Sequence, residues 1–555
     1  MPKSADLLIV NANVLTMSDG RPRCDALAIV GNKIAAVGSA SELAELKGPS
    51  TRLIDAQGCT VLPGFVESHM HLFSGADGQR LLQLGDVQGL SAFKKVAQTY
   101  ATANPQAGLL VAKGSSYTMF SESEPITRNQ LDEAIPDRPF IMVAYDHHTA
   151  WANTIALEKA GVLNGRDVGV GNEIVMGDDG LATGELRETK AMRPVMALRT
   201  DGGREGYGMK GTEPQPGPSS AERRDDREIL EAGLRYCAEL GITSIHNMDG
   251  NLYQLELLDE IRRAGELRCR TQIPYHLTNV MPITNLEQAS EMHRRFSSPM
   301  LHSGRVKMFM DGVLESWTAV MLEDYADRPG HRGDPLFSAE HFSEAAIEAD
   351  RRGMQISVHA IGDGAVHRVL NGYEAAQRAN GRRDSRHRIE HVEVIHPSDI
   401  ARLVDLGVVA SMQPPHPPGT MGLPLEPTVS RIGEARWPYS YAWRTLWNAG
   451  AQIAFSSDWP VSPLAPMKTI QAAVTREPWN EQLADQRATL YEALAACTEV
   501  GAYANFTEDS IGRLETGMLA DVVVLSDDIE ETAPGELGEV RPVVTICDGQ
   551  ITYEA

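Results

Sequence analysis

Pro63-Gly64-Phe65-Val66-Glu67-Ser68-His69-Met70-His71 is the stretch from which the fold is read. Residues two apart on a strand point to the same side. His69 and His71 therefore aim one way while Met70 packs the other. Two imidazole nitrogens on one rigid strand end make half of a zinc site. A bare His-x-His arises readily by chance; one that ends an apolar strand headed by Pro-Gly-Phe is far more specific.

Seven further strand-like runs follow. With Thr60–His71 they are Thr243–Asn247, Arg270–His276, Arg305–Met310, Gln355–His359, Arg388–His391, Val408–Met412 and Gln452–Ser457. Most consecutive pairs are separated by a helix-sized stretch, the pattern of repeated βα units. The expected fold is α/β, a (β/α)₈ TIM barrel over residues 61–514. The gap from Leu72 to Ile242 is far longer than one helix, and Gly202–Ser220 within it is rich in Gly and Pro. It predicts an inserted subdomain over residues 105–227, after the first barrel strand and near the barrel mouth. Both ends of the chain read as short strands. Leu7–Met17, Ala26–Ala36 with its Gly31-Asn32 turn, and Thr51–Asp55 lie at one end. Asp521–Leu525 and Val543–Tyr553, with an Asp548-Gly549 turn, lie at the other. Residues 1–60 and 515–555 together predict a small composite β-sandwich.

The chemistry-bearing residues fall at the C-terminal ends of these strands, the face on which barrel enzymes place their active residues. They are Lys307 in Lys307-Met308-Phe309-Met310-Asp311-Gly312, His359 in Val358-His359-Ala360-Ile361-Gly362-Asp363, His391 in Arg388-Ile389-Glu390-His391, and Asp458 in Ser456-Ser457-Asp458-Trp459-Pro460. Alone, each has an ordinary structural explanation. In the order His-x-His, Lys, His, His, Asp they argue against a coincidence of separate structural residues. Trp151, Trp317, Trp459 and His416 fall in predicted loops, where they either contact an aromatic substrate or pack beneath the loop. His246 and His276 are expected to be structural.

Composition narrows the function. The 555 residues carry a net charge of −24, with 42% hydrophobic and 23% charged residues. That balance argues against nucleic acid or an anionic membrane surface as partner; a small-molecule substrate is expected, and a homo-oligomer is left open. The six scattered cysteines form no CxxC and suggest buried free thiols. No stretch reads as a signal peptide or a membrane span, so a cytoplasmic location is expected.

Taken together, these segments resemble the amidohydrolase superfamily, in the branch of N-substituted formamide deformylases. Members share PGFxDxHxH, KxxxDG, VHAIGD, RIEH and SDxP segments and the terminal β domain, here with Gly517-Met518-Leu519-Ala520-Asp521. Two departures stand out. Glu67 replaces the usual Asp, out of phase with the His pair, and Asp146-His147-His148 stands where the family tends to have Asp-Gly-His. His148 is the matching position and a candidate substrate contact, as are the three tryptophans and His416.

The resemblance implies a binuclear centre of two divalent ions, zinc first among the candidates. His69, His71 and Asp458 would hold the more buried ion, and His359 and His391 the more exposed one. Lys307, carboxylated by carbon dioxide, would bridge them. It also implies a hydrolase of carbon–nitrogen bonds other than peptide bonds, acting on an amide, an N-substituted formamide or a related compound. A bridging hydroxide would attack while Asp458 moves the proton to the leaving nitrogen. The rival within enzymes is a one-metal, deaminase-like member. Those carry a glutamate soon after the fifth-strand histidine, whereas His359 is followed by Ala360-Ile361-Gly362-Asp363-Gly364. A non-catalytic regulatory protein on the same fold is a rival from another class; it would be expected to have lost ligands, and none is missing here.

Overall fold

Runs such as Ile242-Thr243-Ser244-Ile245 are apolar or small on both faces, as a strand covered on both sides requires. In the computed structural model, which describes residues 4–20, 22–85, 87–121, 125–145, 149–169, 172–200 and 202–555, these runs are parallel strands. They are β1 (Phe65–Met70), β2 (Ile242–Asn247), β3 (Arg270–Gln272 continued by Tyr275–His276), β4 (Leu301–His302 continued by Arg305–Phe309), β5 (Gln355–Ala360), β6 (Arg388–His391), β7 (Val409–Met412) and β8 (Gln452–Phe455). Neighbours in sequence are neighbours in the sheets. β3 is interrupted at Pro274, which has no N–H for the ladder, and β4 at Gly304. The halves nevertheless pair with each other, Thr271 with Leu301 and His276 with Lys307. Beyond β8 the chain meets β1: Asp458 N donates to His69 O (3.0 Å) and His71 N to Trp459 O (2.8 Å).

The first expected strand is two. Thr60–Pro63 belongs to the terminal β sheets, where Val61 pairs with Val14 and Val524. Only from Phe65 does the chain enter the barrel array, pairing with Ile242. Gly64 marks the change, because a Cβ there would lie 2.2 Å from the Thr243 side chain. Leu7–Met17 is likewise split into Leu7–Val10 and Asn13–Leu15, which join different sheets. One sheet has four strands and draws only on residues before 56; the other has six and mixes both termini. Ile9, Val14, Ile29, Val61, Val522 and Ile546 share one apolar core.

The chain divides into two compact units, one of Met1–Leu72, Tyr207–Gly217 and Leu230–Ala555, the other of Phe73–Gly206 and Pro218–Ile229. The second unit starts well before residue 105. Leu82 pairs with Ala112, and Phe93 and Ala97 of the helix Leu90–Ala103 are buried with Leu110 and Phe140. Its six-stranded sheet carries Trp151 on the strand Thr149–Ala152, not in a loop. Among the described residues no helix is long and apolar enough to cross a membrane.

Candidate metal centre

The end of β1 presents His69 and His71 on one side, and the turn after β8 brings Asp458 to them. His69 Nε2 and His71 Nε2 each lie 3.3 Å from Asp458 Oδ1. His391, at the end of β6, places its ring 4.8 Å from that of His69. Two of these residues sit in strained backbone: φ is +79° at His391 and +59° at Asp458. Left-handed conformation at a non-glycine residue costs about 1–3 kcal/mol and persists only where the surroundings hold it. Here it turns two side chains inward at the strand ends.

Each histidine has one nitrogen backed by an acceptor. His69 Nδ1 donates to Glu390 Oε2 (2.7 Å), His391 Nδ1 to Gln413 Oε1 (2.8 Å), and His71 Nδ1 faces Asp249 Oδ1 at 3.4 Å. Gln413 is fixed in turn by donating to Ser456 Oγ (2.9 Å), and Glu390 by accepting from Arg388 Nε (2.8 Å) and from Ser357 Oγ. A neutral imidazole that donates through Nδ1 carries its lone pair on Nε2, the arrangement of metal-ligating histidines.

Charge points the same way. Burial would raise the Asp458 carboxyl, but His69, His71 and His391 hold it well below the usual range. Burial opposes charge on His71, yet the neighbouring carboxylates of Asp249 and Asp458 push it up to about 9. This position draws positive charge, and a metal ion displaces protons from such ligands. Lys307, wholly buried, is pushed down to about 8 by burial. Its Nζ lies 4.7 Å from the centre of the Phe309 ring and has no hydrogen-bond partner among the described residues. Asp458 Oδ1 is also buried without a hydrogen-bond partner among the described residues. Three imidazoles and a carboxylate gathered at one point are a donor set that fits a divalent metal.

The remaining candidates differ in placement. His359 packs beside His391, ring centroids 4.5 Å apart, and its Nε2 donates to Gly312 O (3.0 Å). His416 offers a ligand atom within 4.8 Å of atoms on His391 and Asp458. Arg431 and Arg328 lie 3.6 and 5.2 Å from the centre of the Trp317 ring, and its Nε1 donates to Asp327. Trp459 packs on Tyr236, and Trp151 is buried in the core of the second unit. His148 lies outside the described residues. Glu67 is no ligand in this geometry; Oε1 accepts from Ser457 N (2.9 Å) and so ties β1 to the turn after β8. Asp311 accepts from Val320 N, Ile361 N and Gly362 N (2.9–3.0 Å), which fixes the loop after β5, and burial pushes its carboxyl up to about 7.

Asp249, Glu390, Gln413 and Glu393 were not singled out from sequence. The available signal was a charged residue inside an otherwise apolar strand, as in Arg388-Ile389-Glu390-His391.

Parallel strands whose C-terminal ends gather histidines and an aspartate define a metal-dependent hydrolase on a TIM-barrel-type fold. The chain belongs to the amidohydrolase family, whose model matches residues 52–553. It is 31% identical over 543 residues to Protein LONG AFTER FAR-RED 3 of Arabidopsis thaliana, covering 94% of this chain and 87% of the relative. It is 28% identical to the putative amidohydrolase YtcJ of Bacillus subtilis, covering 98% of each. It is 26% identical to N-substituted formamide deformylase of Arthrobacter pascens, covering 100% of this chain and 99% of that one. Among solved structures it resembles an uncharacterized metal-dependent hydrolase from Pyrococcus furiosus, with a TM-score of 0.70 and 24% identity over 93% of this chain and 98% of that one.

Proposed function

We propose that the protein hydrolyses a non-peptide carbon–nitrogen bond in a small molecule, an N-substituted formamide or related amide, with two divalent ions, zinc first among them. One observation carries the reading: among the described residues Lys307 Nζ and Asp458 Oδ1 are both buried without hydrogen-bond partners, amid the imidazoles of the strand ends. His69, His71 and Asp458 would hold one ion and His359 and His391 the other, with Lys307 between them. Such ions, when bound, acidify a water and polarise the substrate carbonyl.

The chain's own groups do the rest. With its pKa near 8, Lys307 has a sizeable neutral fraction at neutral pH. The neutral amine attacks carbon dioxide, a nitrogen–carbon bond forms, one proton leaves, and the carbamate offers two oxygens that share one negative charge. Asp458, facing two imidazoles through one oxygen, takes a proton from the attacking water and delivers it to the leaving nitrogen. The formamide class is supported by the full-length similarity to a deformylase. A one-ion site at His69, His71 and Asp458 is the second reading, favoured by His359 spending Nε2 on the Gly312 carbonyl.

The test is a panel of N-formyl, N-acyl and ureido compounds with zinc-loaded and chelator-treated protein. Cleavage of at least one C–N class, lost with the chelator and regained with zinc, is expected. Cleavage unaffected by the chelator, or confined to esters, overturns the proposal.

A further inference from the structure

His416 sits in Gln413-Pro414-Pro415-His416-Pro417-Pro418, where four prolines limit backbone freedom around one ring. Its N–H donates to Gln413 O (3.0 Å), and its ring stacks on that of His391 at 6.1 Å and 14°. Its two nitrogens have different surroundings. Nδ1 faces Glu393 Oε1 at 3.5 Å. Glu393 is buried, and its other oxygen accepts from the Tyr441 hydroxyl (2.9 Å). Tyr441 is itself buried; its backbone N donates to Glu393 O (2.7 Å), and its carbonyl accepts from Arg476. Nε2 is buried and has no hydrogen-bond partner among the described residues. An immobilised carboxylate facing Nδ1 keeps a hydrogen on that nitrogen, so when the imidazole is neutral Nε2 presents a lone pair beside the metal ligands.

We propose that His416, positioned by Glu393 and Tyr441, contacts the substrate by accepting the N–H of the scissile group through Nε2. The enzyme then prefers N-monosubstituted amides to N,N-disubstituted ones. The inference rests on the C–N hydrolase reading. Its chemistry is that of any site built to pair a substrate polar hydrogen: an analogue without it leaves the protein group unpaired and is rejected.

The test uses metal-loaded full-length protein and matched pairs: N-hexylformamide with N-hexyl-N-methylformamide, and the corresponding acetamides and ureas. The native enzyme is expected to favour the N–H member by at least about tenfold in kcat/KM. His416→Leu is expected to bring the pair within about twofold, by losing rate on the N–H member alone, with the ions per chain unchanged. Tyr441→Phe, which frees Glu393 but keeps the imidazole, is expected to fall between. An equal loss on both members, an unchanged ratio, or loss of an ion with His416→Leu overturns the inference; the last makes His416 a metal ligand. If the native protein cleaves neither member of any pair, the C–N reading falls and takes this inference with it. Cleavage without a His416-dependent preference sinks the inference alone.

Discussion

Two buried polar groups of the barrel strands invite comparison. Around Arg305 and Arg388, every guanidinium nitrogen has an acceptor: Gln355, Gln272 and Asn505 for the first, Glu390, His246, Ser68 O and Ser411 for the second. At the strand ends, Lys307 Nζ and Asp458 Oδ1 are as deeply buried but lack such partners. A buried polar atom left unpaired costs about 1–3 kcal/mol, so a chain retains it where a ligand completes it. On the proposed reading the satisfied group is scaffold and the unsatisfied one binds the metal.

The largest effect expected from this contrast is on Asp458. Asp458→Asn is expected to lower kcat/KM by about 10²–10⁴-fold and to weaken ion retention, read by steady-state kinetics and elemental analysis. Near-normal turnover would break the assignment of the strand-end group.

A pair of substitutions tests the comparison itself. Arg388→Met leaves Glu390 charged and buried without its cation, which is expected to cost about 3–5 kcal/mol. Lys307→Met removes a buried amine that has no hydrogen bond to lose. Metal-free Lys307→Met protein is therefore expected to unfold at or above the native temperature while losing activity, and Arg388→Met well below it. The reverse order in thermal unfolding would show that the two groups are not different in kind.

A smaller effect is expected from Glu390→Gln, which keeps the shape but weakens the anchor of His69. Metal affinity should fall about 10- to 100-fold in a chelator competition, with the fold intact. An unchanged affinity would separate Glu390 from the metal centre.

The smallest effect lies in a satisfied group outside the centre. Burial would raise Asp350, but hydrogen bonds from His387 and Asn380 outweigh it and bring it down to about 2 from 3.8. A depressed carboxyl contributes stability that is present above the unfolded pKa and lost as pH falls through the folded one. Asp350→Asn is expected to lower the melting temperature at pH 7, with the gap closing as the pH is taken from about 4 towards 2. A gap independent of pH would assign the loss to packing.

Much of this was legible in the sequence, for physical reasons. Strand existence follows from apolar β-branched runs, and His69, His71, His391 and Asp458 come together because parallel strands deliver their C-terminal ends to one face. Less legible was anything set by approach in space. Thr60–Pro63 and Phe65–Met70 are both apolar, and only the packing of Gly64 on Thr243 shows where one sheet ends and the next begins. The second unit starts early because of the two-residue strand Leu82–Gln83, too short to show a period. Glu393 and His416 follow different strands, so their contact has no spacing to betray it. The Trp317 ring, read from its loop as a substrate contact or a packing residue, has two arginines beside it that only folding brings there.

The most direct test of the central claim is metal content against activity, measured by elemental analysis on active protein prepared without chelator. The account predicts two divalent ions per chain, with activity falling as the ions are stripped and returning as zinc is restored. Fully active protein that reproducibly holds one ion, with nothing gained on adding more, would contradict the binuclear centre. Activity from protein free of metal would contradict the reading of the unpartnered strand-end atoms altogether.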